Sequence, residues 1–361
     1  MAGGGSGGHL YPALAILEGF HLGRSARGVE RLGYIGARRE LERRVLRNYP
    51  WIEHYLIHGR GLPRRWLQLV SWRGLSTLAQ VALGLVESLF IICKFRPTVI
   101  VGMGGFSSFP PVLWGILLGI PTVIHEVNAV PGLVNRLLAP HVDLVTTAYA
   151  QTARLLRARR IATTGVPLRR ELLEAAQLPQ EELKAGLGLD LRKRTVLVLG
   201  GSRGAAPLNR AILRSRVDRD DLQILLVTGG GAPQRGGTGI IAKQYLDRVG
   251  EALAAADLVI SRAGAATIAE LTALGKPAIL VPWLEAAENH QELNARLLEQ
   301  AGGAIVLPEG ALEEVDLVEL ARKLLAERER LRQMADRSRA MGRPDGLQRF
   351  LEEVERLLTR I

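Results

Sequence analysis

Two doubly wound α/β domains are predicted, on three observations. Short β-branched runs alternate with longer helical patterns along the whole chain. The strand runs are continuous and apolar, as in parallel sheets covered on both faces. Glycine-rich turns feed helices in both halves, at Gly3–Gly8 and at Gly200–Gly204. A length of 361 residues suits two domains. Two such halves facing each other would hold a ligand in the cleft between them.

The first element is the least complete. Gly3-Gly4-Gly5-Ser6-Gly7-Gly8-His9 precedes a helix, yet only Met1-Ala2 stand before it. The first strand of a doubly wound sheet is central, so the expectation is a missing strand and a misplaced chain start. A stop codon in frame immediately before Met1 would exclude that reading. A second strand ends at Tyr34-Ile35-Gly36, and others are expected at Glu53–Ile57, Thr98–Val101, Thr122–His125 and Leu144–Thr146. A third glycine turn, Gly102-Met103-Gly104-Gly105, follows Val99-Ile100-Val101. The second half offers Thr195–Leu199, Gln223–Val227, Leu258–Ile260, Ala278–Val281 and Ala304–Leu307. Between Gly231 and Tyr245 the chain is short and glycine-loaded, and no strand is assigned there.

Arg154–Lys193 carries Pro167, Pro179 and dense charge, with only Arg160–Thr163 as a strand. The junction is placed there, giving domains 1–165 and 166–343 and a terminal segment 344–361. That segment holds a helix with Leu347, Phe350, Leu351, Val354 and Leu358 on one face.

Leu75 to Cys93 is long and apolar enough to raise a membrane span. Glu87 lies inside it, and a carboxylate at mid-bilayer costs about 2.5–3.5 kcal/mol. Helical spacing lines up Arg73, Ser76, Thr77, Gln80, Gly84 and Glu87, leaving the other side apolar. The pattern is amphipathic, so a surface or domain-packed helix is expected.

Charge narrows the partners. Lys+Arg number 47 against 36 Asp+Glu, a formal net charge of +11, and the 47% hydrophobic content excludes disorder. One cysteine, Cys93, excludes an internal disulfide framework and a cysteine-based structural zinc site. No secretory signal is read at Met1-Ala2-Gly3. Excess positive charge points to an anionic partner. Nucleic acid is not expected, since only 5% of residues are aromatic and no recognition motif is present. Arg60, Arg64, Arg65 and Arg73 crowd beside Leu62, Trp66, Leu67, Leu69, Val70 and Trp72. That mixture reads either as contact with an anionic membrane surface or as a solvated arginine-rich loop.

The glycine turns carry the chemistry. Helix starts expose N–H groups and the positive end of a dipole, which suits phosphate. Gly3, Gly5 and Gly8 fit the dinucleotide fingerprint, but its ribose-binding acid is missing: Gly36 is followed by Arg38 and Arg39. A nicotinamide oxidoreductase is therefore disfavoured. Ser261-Arg262-Ala263-Gly264-Ala265-Ala266-Thr267-Ile268-Ala269-Glu270 follows another strand. Arg262 there could neutralise a diphosphate, and Glu270 could accept from ribose hydroxyls. Glu288, Asn289, His290, Gln291 and Asn294 suit sugar hydroxyls, or a polar surface turn.

Taken in order, several motifs together resemble the MurG family of bacterial glycosyltransferases. They are Gly4-Gly5-Ser6-Gly7-Gly8-His9, Gly102-Met103-Gly104-Gly105, His125-Glu126-Val127-Asn128, Gly200-Gly201-Ser202-Arg203-Gly204-Ala205, Arg262–Thr267 and His290-Gln291. The family adds N-acetylglucosamine to undecaprenyl-diphosphate-linked muramyl-pentapeptide. The resemblance implies a GT-B fold, inversion at the sugar, and peripheral attachment to the inner face of the cytoplasmic membrane. It implies an acceptor- and membrane-binding first domain, a second domain for UDP-N-acetylglucosamine, and a terminal helix that returns to the first domain.

By motif position, Ser6, Gly7, Gly8, Asn128, Arg169, Ser202, Leu246, Gly264, Ala265, Ala266, Thr267, Ile268, Ala269, Glu270, His290 and Gln291 would surround the donor. Gly104 and Gly105 would cradle the acceptor's diphosphate. The membrane patch would include Arg64, Arg65, Trp66, Leu69, Trp72, Arg73 and Leu75.

The implied displacement passes through an oxocarbenium-like state. The acceptor proton would go to His9, or else to Glu126. No cofactor and no metal are expected: Asp218-Arg219-Asp220-Asp221 reads as a charged turn. Three alternatives stay open, namely hexose transfer to diacylglycerol, a nicotinamide-dependent oxidoreductase, and a non-catalytic membrane-docking module.

Overall fold

The computed structural model of the protein describes residues 1–5, 7–23, 29–59, 72–201, 205–215, 217, 222–229, 238–284, 286 and 289–360; residues 72–76 and 78 are described by backbone alone. They form two compact units, Met1–Pro167 with Asp345–Ile361, and Leu168–Pro344.

The first unit runs α1 (Gly7–Leu22), β1 (Gly33–Ala37), α2 (Glu40–Leu46), β2 (Glu53–Ile57), α3 (Trp72–Phe95), β3 (Ile100–Gly102), α4 (Phe109–Leu117), β4 (Thr122–Glu126), α5 (Leu133–Leu138), β5 (Leu144–Thr147), α6 (Ala150–Ala153) and β6 (Ile161–Thr163). The second runs α7 (Arg170–Ala175), α8 (Gln180–Leu187), β7 (Arg194–Leu199), α9 (Ala206–Arg214), β8 (Leu222–Val227), β9 (Ile240–Lys243), α10 (Val249–Ala255), β10 (Leu258–Ser261), α11 (Ala265–Leu274), β11 (Ala278–Leu280), α12 (His290–Gln300), β12 (Ala304–Val306), α13 (Leu317–Ala326) and α14 (Arg328–Met341). A final helix, α15 (Gly346–Leu358), belongs to the first unit.

Unit 2 is doubly wound throughout, with parallel strands in the order β12-β11-β10-β7-β8-β9. Alternate side chains of each strand feed opposite cores. Val196 and Val198 pack with Leu208, Ile212, Leu317 and Leu324 on one face. Leu197 and Leu199 pack with Leu253, Ile268, Leu271 and Leu298 on the other. β9 is a strand where none was assigned: Ile224–Val227 pair with Ile240–Lys243 in parallel. Four residues without alternation were too short a run to stand out beside the glycines.

Unit 1 repeats the design around a very short centre. β1 pairs with β2, and β3 to β6 form a second parallel set. Between them lies the position expected to be vacant, and residues 1–3 hold it. Ala2 N–H donates to Val101 O and Met103 N–H to Ala2 O, each at 2.7 Å. On the other edge, Ile35 N–H donates to Met1 O at 2.9 Å and Gly3 N–H to Ile35 O at 3.1 Å. Three residues thus supply the hydrogen bonds of a central strand on both sides and deliver the first glycine turn to the strand ends.

One face of this sheet is covered by α1 and α15. Phe350, Leu351 and Val354 are buried with Leu10, Leu14 and Leu17. Gly19 permits the crossing, because a β-carbon there would lie 2.9 Å from Leu351 Cδ1. Arg160 and Glu353 close the edge with an ion pair at 2.6 Å. The other face is covered by α3, α4 and α5 through Ile92, Val112 and Leu138.

α3 is packed the opposite way from a water-facing amphipathic helix. Its polar stripe turns inward: Thr77 is buried, and Glu87 accepts from Arg38 Nη2 and His58 N–H, both at 2.7 Å. Gly84 lies against His58, where a β-carbon would come within 2.2 Å of the carbonyl oxygen. The apolar side faces out, with Leu83 51%, Val86 68% and Phe90 73% exposed. Leu117 and Leu118, at the end of neighbouring α4, are exposed as well.

Candidate active site

In unit 1 the site residues converge at the C-terminal ends of the strands, where a doubly wound sheet binds its ligands. His9, in the first turn of α1, lies over the third glycine turn. A β-carbon at Gly104 would be 3.4 Å from His9 Nε2, and one at Gly105 would be 3.4 Å from Nδ1. Both glycines have positive φ, 82° and 74°. Any larger residue would meet backbone strain, and a β-carbon at Gly105 would also fall 2.8 Å from Gly4 O. The turn therefore brings together two features singled out separately in the sequence, a histidine and the glycines expected to cradle a diphosphate.

Glu126 ends β4 and is almost fully buried. Its Oε1 accepts from Asn128 N–H at 2.9 Å and Asn128 Nδ2 at 3.0 Å; its Oε2 accepts from Gly132 N–H at 2.9 Å and Asn135 Nδ2 at 2.8 Å. Four donors use the whole accepting capacity of a carboxylate. The geometry makes Glu126 the organiser of residues 127–132, and it draws Asn128 into the same network.

Sequence reasoning missed two residues here, Asn135 and Glu42, and quoted a third, His125, without giving it a role. Asn135 also donates to His125 O at 3.2 Å and sits beside Gly104. A buried asparagine in the apolar run Leu133-Val134-Asn135-Arg136-Leu137-Leu138 was the available signal. His125 is buried, and burial, aided by nearby His9, lowers its pKa to about 3, so it is neutral. Thr146 Oγ1 donates to Ile124 O, so it accepts from His125 Nδ1 at 2.8 Å. Nε2 is left as an acceptor, buried and without a hydrogen-bond partner among the described residues. Glu42 of α2 is the second missed residue: its Oε1 takes the Gly5 N–H at 2.6 Å. That amide is therefore committed to Glu42.

In unit 2 the corresponding turn is Gly200-Gly201, and Ser202 lies outside the described residues, as Ser6 does in unit 1. The second helix start is fully described. Gly264 caps α11 in an extended conformation without a side-chain cap bond. The N–H groups of Ala265, Ala266 and Thr267 thus open the helix with no capping side chain, as an anion site requires. Ile268 is core, Ala269 packs beside it, and Glu270 lies one residue further on. Burial raises the Glu270 pKa to about 7, with Arg169 opposing and Glu171 adding to the rise. Arg169 pairs with Glu171 at 2.6 Å.

Arg262, expected to neutralise a diphosphate, has partners of its own within unit 2. Its guanidinium is buried, donating to Val281 O at 3.2 Å and Pro282 O at 3.3 Å, and it pairs with Glu309. A diphosphate would have to compete with all three. No local pattern signals this pairing, because Glu309 lies 47 residues away. Gln291 is partly committed as well, its Oε1 accepting from Trp283 N–H at 3.0 Å. His290 opens α12, and Leu246 is half-buried against the core below α10.

Of the expected membrane patch, Arg64, Arg65, Trp66 and Leu69 lie outside the described residues. Trp72, Arg73 and Leu75 are placed by backbone on α3. Among the described residues, no helix is long and apolar enough to cross a membrane.

Comparison with known proteins gives a consistent set of relatives. Residues 1–147 match the glycosyltransferase family 28 N-terminal domain and residues 195–350 its C-terminal domain. The chain is 38% identical, over 100% of its length and 98% of the relative's, to the UDP-N-acetylglucosamine–N-acetylmuramyl-(pentapeptide) pyrophosphoryl-undecaprenol N-acetylglucosamine transferase of Desulforamulus reducens. It is 40% identical to the transferase of the same name from Halothermothrix orenii, covering 95% of this chain and 94% of that one. Among solved structures, Acinetobacter baumannii MurG superposes with a TM-score of 0.70 at 23% identity, covering 99% of this chain and 98% of that one.

Proposed function

Because the chain belongs to glycosyltransferase family 28, and within it to the MurG transferases, we propose that unit 2 holds the nucleotide sugar and unit 1 the lipid-linked acceptor. The reaction is transfer of N-acetylglucosamine from UDP-N-acetylglucosamine to muramyl-pentapeptide carried on undecaprenyl diphosphate, the lipid I to lipid II step of peptidoglycan synthesis. The relatives' activity favours this acceptor over diacylglycerol, and a sugar donor over a nicotinamide.

The muramyl 4-hydroxyl attacks the anomeric carbon, the new C–O bond forms as the bond to the diphosphate breaks, and UDP leaves with inversion. His9 takes the hydroxyl proton, a task suited to an imidazole near neutral pH. The uncapped start of α11 receives charge growing on the departing diphosphate. Glu270 accepts from the ribose hydroxyls. The single observation that carries the reading is the His9 ring seated on the Gly104–Gly105 turn, which puts a proton acceptor against an anion cradle in unit 1.

The enzyme docks peripherally on the inner face of the cytoplasmic membrane. The outward Leu83, Val86 and Phe90 stripe supports this, together with the arginine-rich segment that precedes it in sequence. Nucleic acid is not a partner in this reading.

Transfer of radiolabel from UDP-N-acetylglucosamine tests the function. Label is expected in undecaprenyl-diphosphate-muramyl-pentapeptide and not in diacylglycerol; label in diacylglycerol alone overturns the assignment. Cosedimentation with phosphatidylglycerol vesicles tests the docking. Val86→Glu with Phe90→Ser is expected to release the protein into the supernatant, and unchanged cosedimentation contradicts the docking face.

A further inference from the structure

Beside the start of α11, the sheet of unit 2 is finished by a side chain rather than by main chain. Val281 N–H donates to Ser261 O at 2.8 Å between β11 and β10, and Leu307 N–H to Leu280 O at 2.9 Å between β12 and β11. The next residue, Pro282, has no N–H to carry the ladder further. The Arg262 guanidinium carries it instead, Nη1 donating to Val281 O at 3.2 Å and to Pro282 O at 3.3 Å. Nη2 pairs with Glu309, in the turn that follows β12. The Arg262 N–H is itself held by Leu199 O of β7 at 3.3 Å. One side chain thus fastens the ends of β10, β11 and β12, with its backbone anchored on β7.

Stability alone does not explain a buried guanidinium, because apolar packing of similar volume often serves a core as well. Arginine adds a planar fork of fixed donors, which sets the distances between the groups it holds. Here those groups lead to two helix starts. Gly264, two residues after Arg262, caps α11. Trp283, directly after Pro282, has its N–H held at 3.0 Å by Oε1 of Gln291, in the first turn of α12. The start of α11 is the element proposed above to receive the diphosphate, and His290 and Gln291 suit sugar hydroxyls. A misplacement of about 1 Å between such elements can slow a reaction about 100-fold.

We propose that Arg262, seated by Glu309, is a positioning residue: it sets the spacing of the α11 and α12 starts and so fits unit 2 to the sugar end of a nucleotide sugar. The inference rests on the assignment of the donor to unit 2. UDP alone engages the α11 side, whereas the attached sugar needs both helix starts in register.

Calorimetry on the full-length protein, with UDP and with UDP-N-acetylglucosamine as separate titrants, tests it beside steady-state kcat and KM. Arg262→Lys keeps the charge but loses the fork, and its UDP affinity is expected within about twofold of the unsubstituted protein. Its UDP-N-acetylglucosamine affinity is expected to fall about tenfold, and kcat by about as much or more. Glu309→Ala should show the same split between the two titrants. Glu309→Gln keeps an acceptor for Nη2 and should recover most of what Glu309→Ala loses. If Arg262→Lys does not fold, the two Glu309 variants decide. Equal loss of both affinities overturns the proposal, because it puts Arg262 on the diphosphate itself, and so does loss of neither. Failure of the unsubstituted protein to bind UDP counts instead against the assignment of unit 2.

Discussion

Glu126 has spent all of its lone pairs on Asn128, Gly132 and Asn135. Glu126→Gln must therefore turn an N–H against an existing donor, and is expected to cost about 1–3 kcal/mol of stability. Denaturant titration reads that loss, and the pH profile of the residual transfer should keep its shape; a displaced profile would return Glu126 to the role of base. Glu270 makes a pH-dependent prediction. Its folded pKa of about 7 lies above the ordinary carboxylate value of 4.5, so between those values the folded state binds the extra proton. Its contribution to stability is present in acid and is lost as pH rises through about 7. The ionised carboxylate is the better acceptor for a ribose diol, so UDP affinity should strengthen as pH rises across neutrality. Calorimetry at a series of pH values checks this, and Glu270→Gln should flatten the dependence. A dependence that survives the substitution assigns it to another group.

At the scale of elements, α3 shows how far periodicity carries and where it stops. The stripe through Thr77, Gly84 and Glu87 was legible as an amphipathic pattern, but spacing alone does not say which side faces water. Arg38 and His58 settle that, because their donors neutralise Glu87 from the sheet side. Gly84→Ala is expected to lose about 1–3 kcal/mol through overpacking against the His58 carbonyl, measurable by denaturant titration. A neutral effect would mean that α3 can move off the sheet. The strands of unit 2 were legible because runs such as Val196–Leu199 have no polar residue to offer water. β9 was not, since Ile240–Lys243 is only four residues long. The centre of unit 1 was not legible either: Ala2 becomes a strand residue only through Ile35 and Val101, which reach it from distant parts of the chain.

For the molecule as a whole, the fold and the glycine turns followed from local pattern, whereas the commitments of individual charges did not. Arg262 was readable as a cation near a helix start, but its partner Glu309 and the carbonyls it holds are brought by tertiary structure. Glu42 reaches Gly5 across 37 residues in the same way. We propose that donor binding belongs to unit 2 and the proton acceptor to unit 1. His9→Ala tests this most directly, with UDP-N-acetylglucosamine affinity measured by calorimetry beside the single-turnover rate of transfer. The rate is expected to fall by about 100-fold or more while donor affinity stays put. A rate that survives, or a donor affinity that falls as far as the rate, would contradict it.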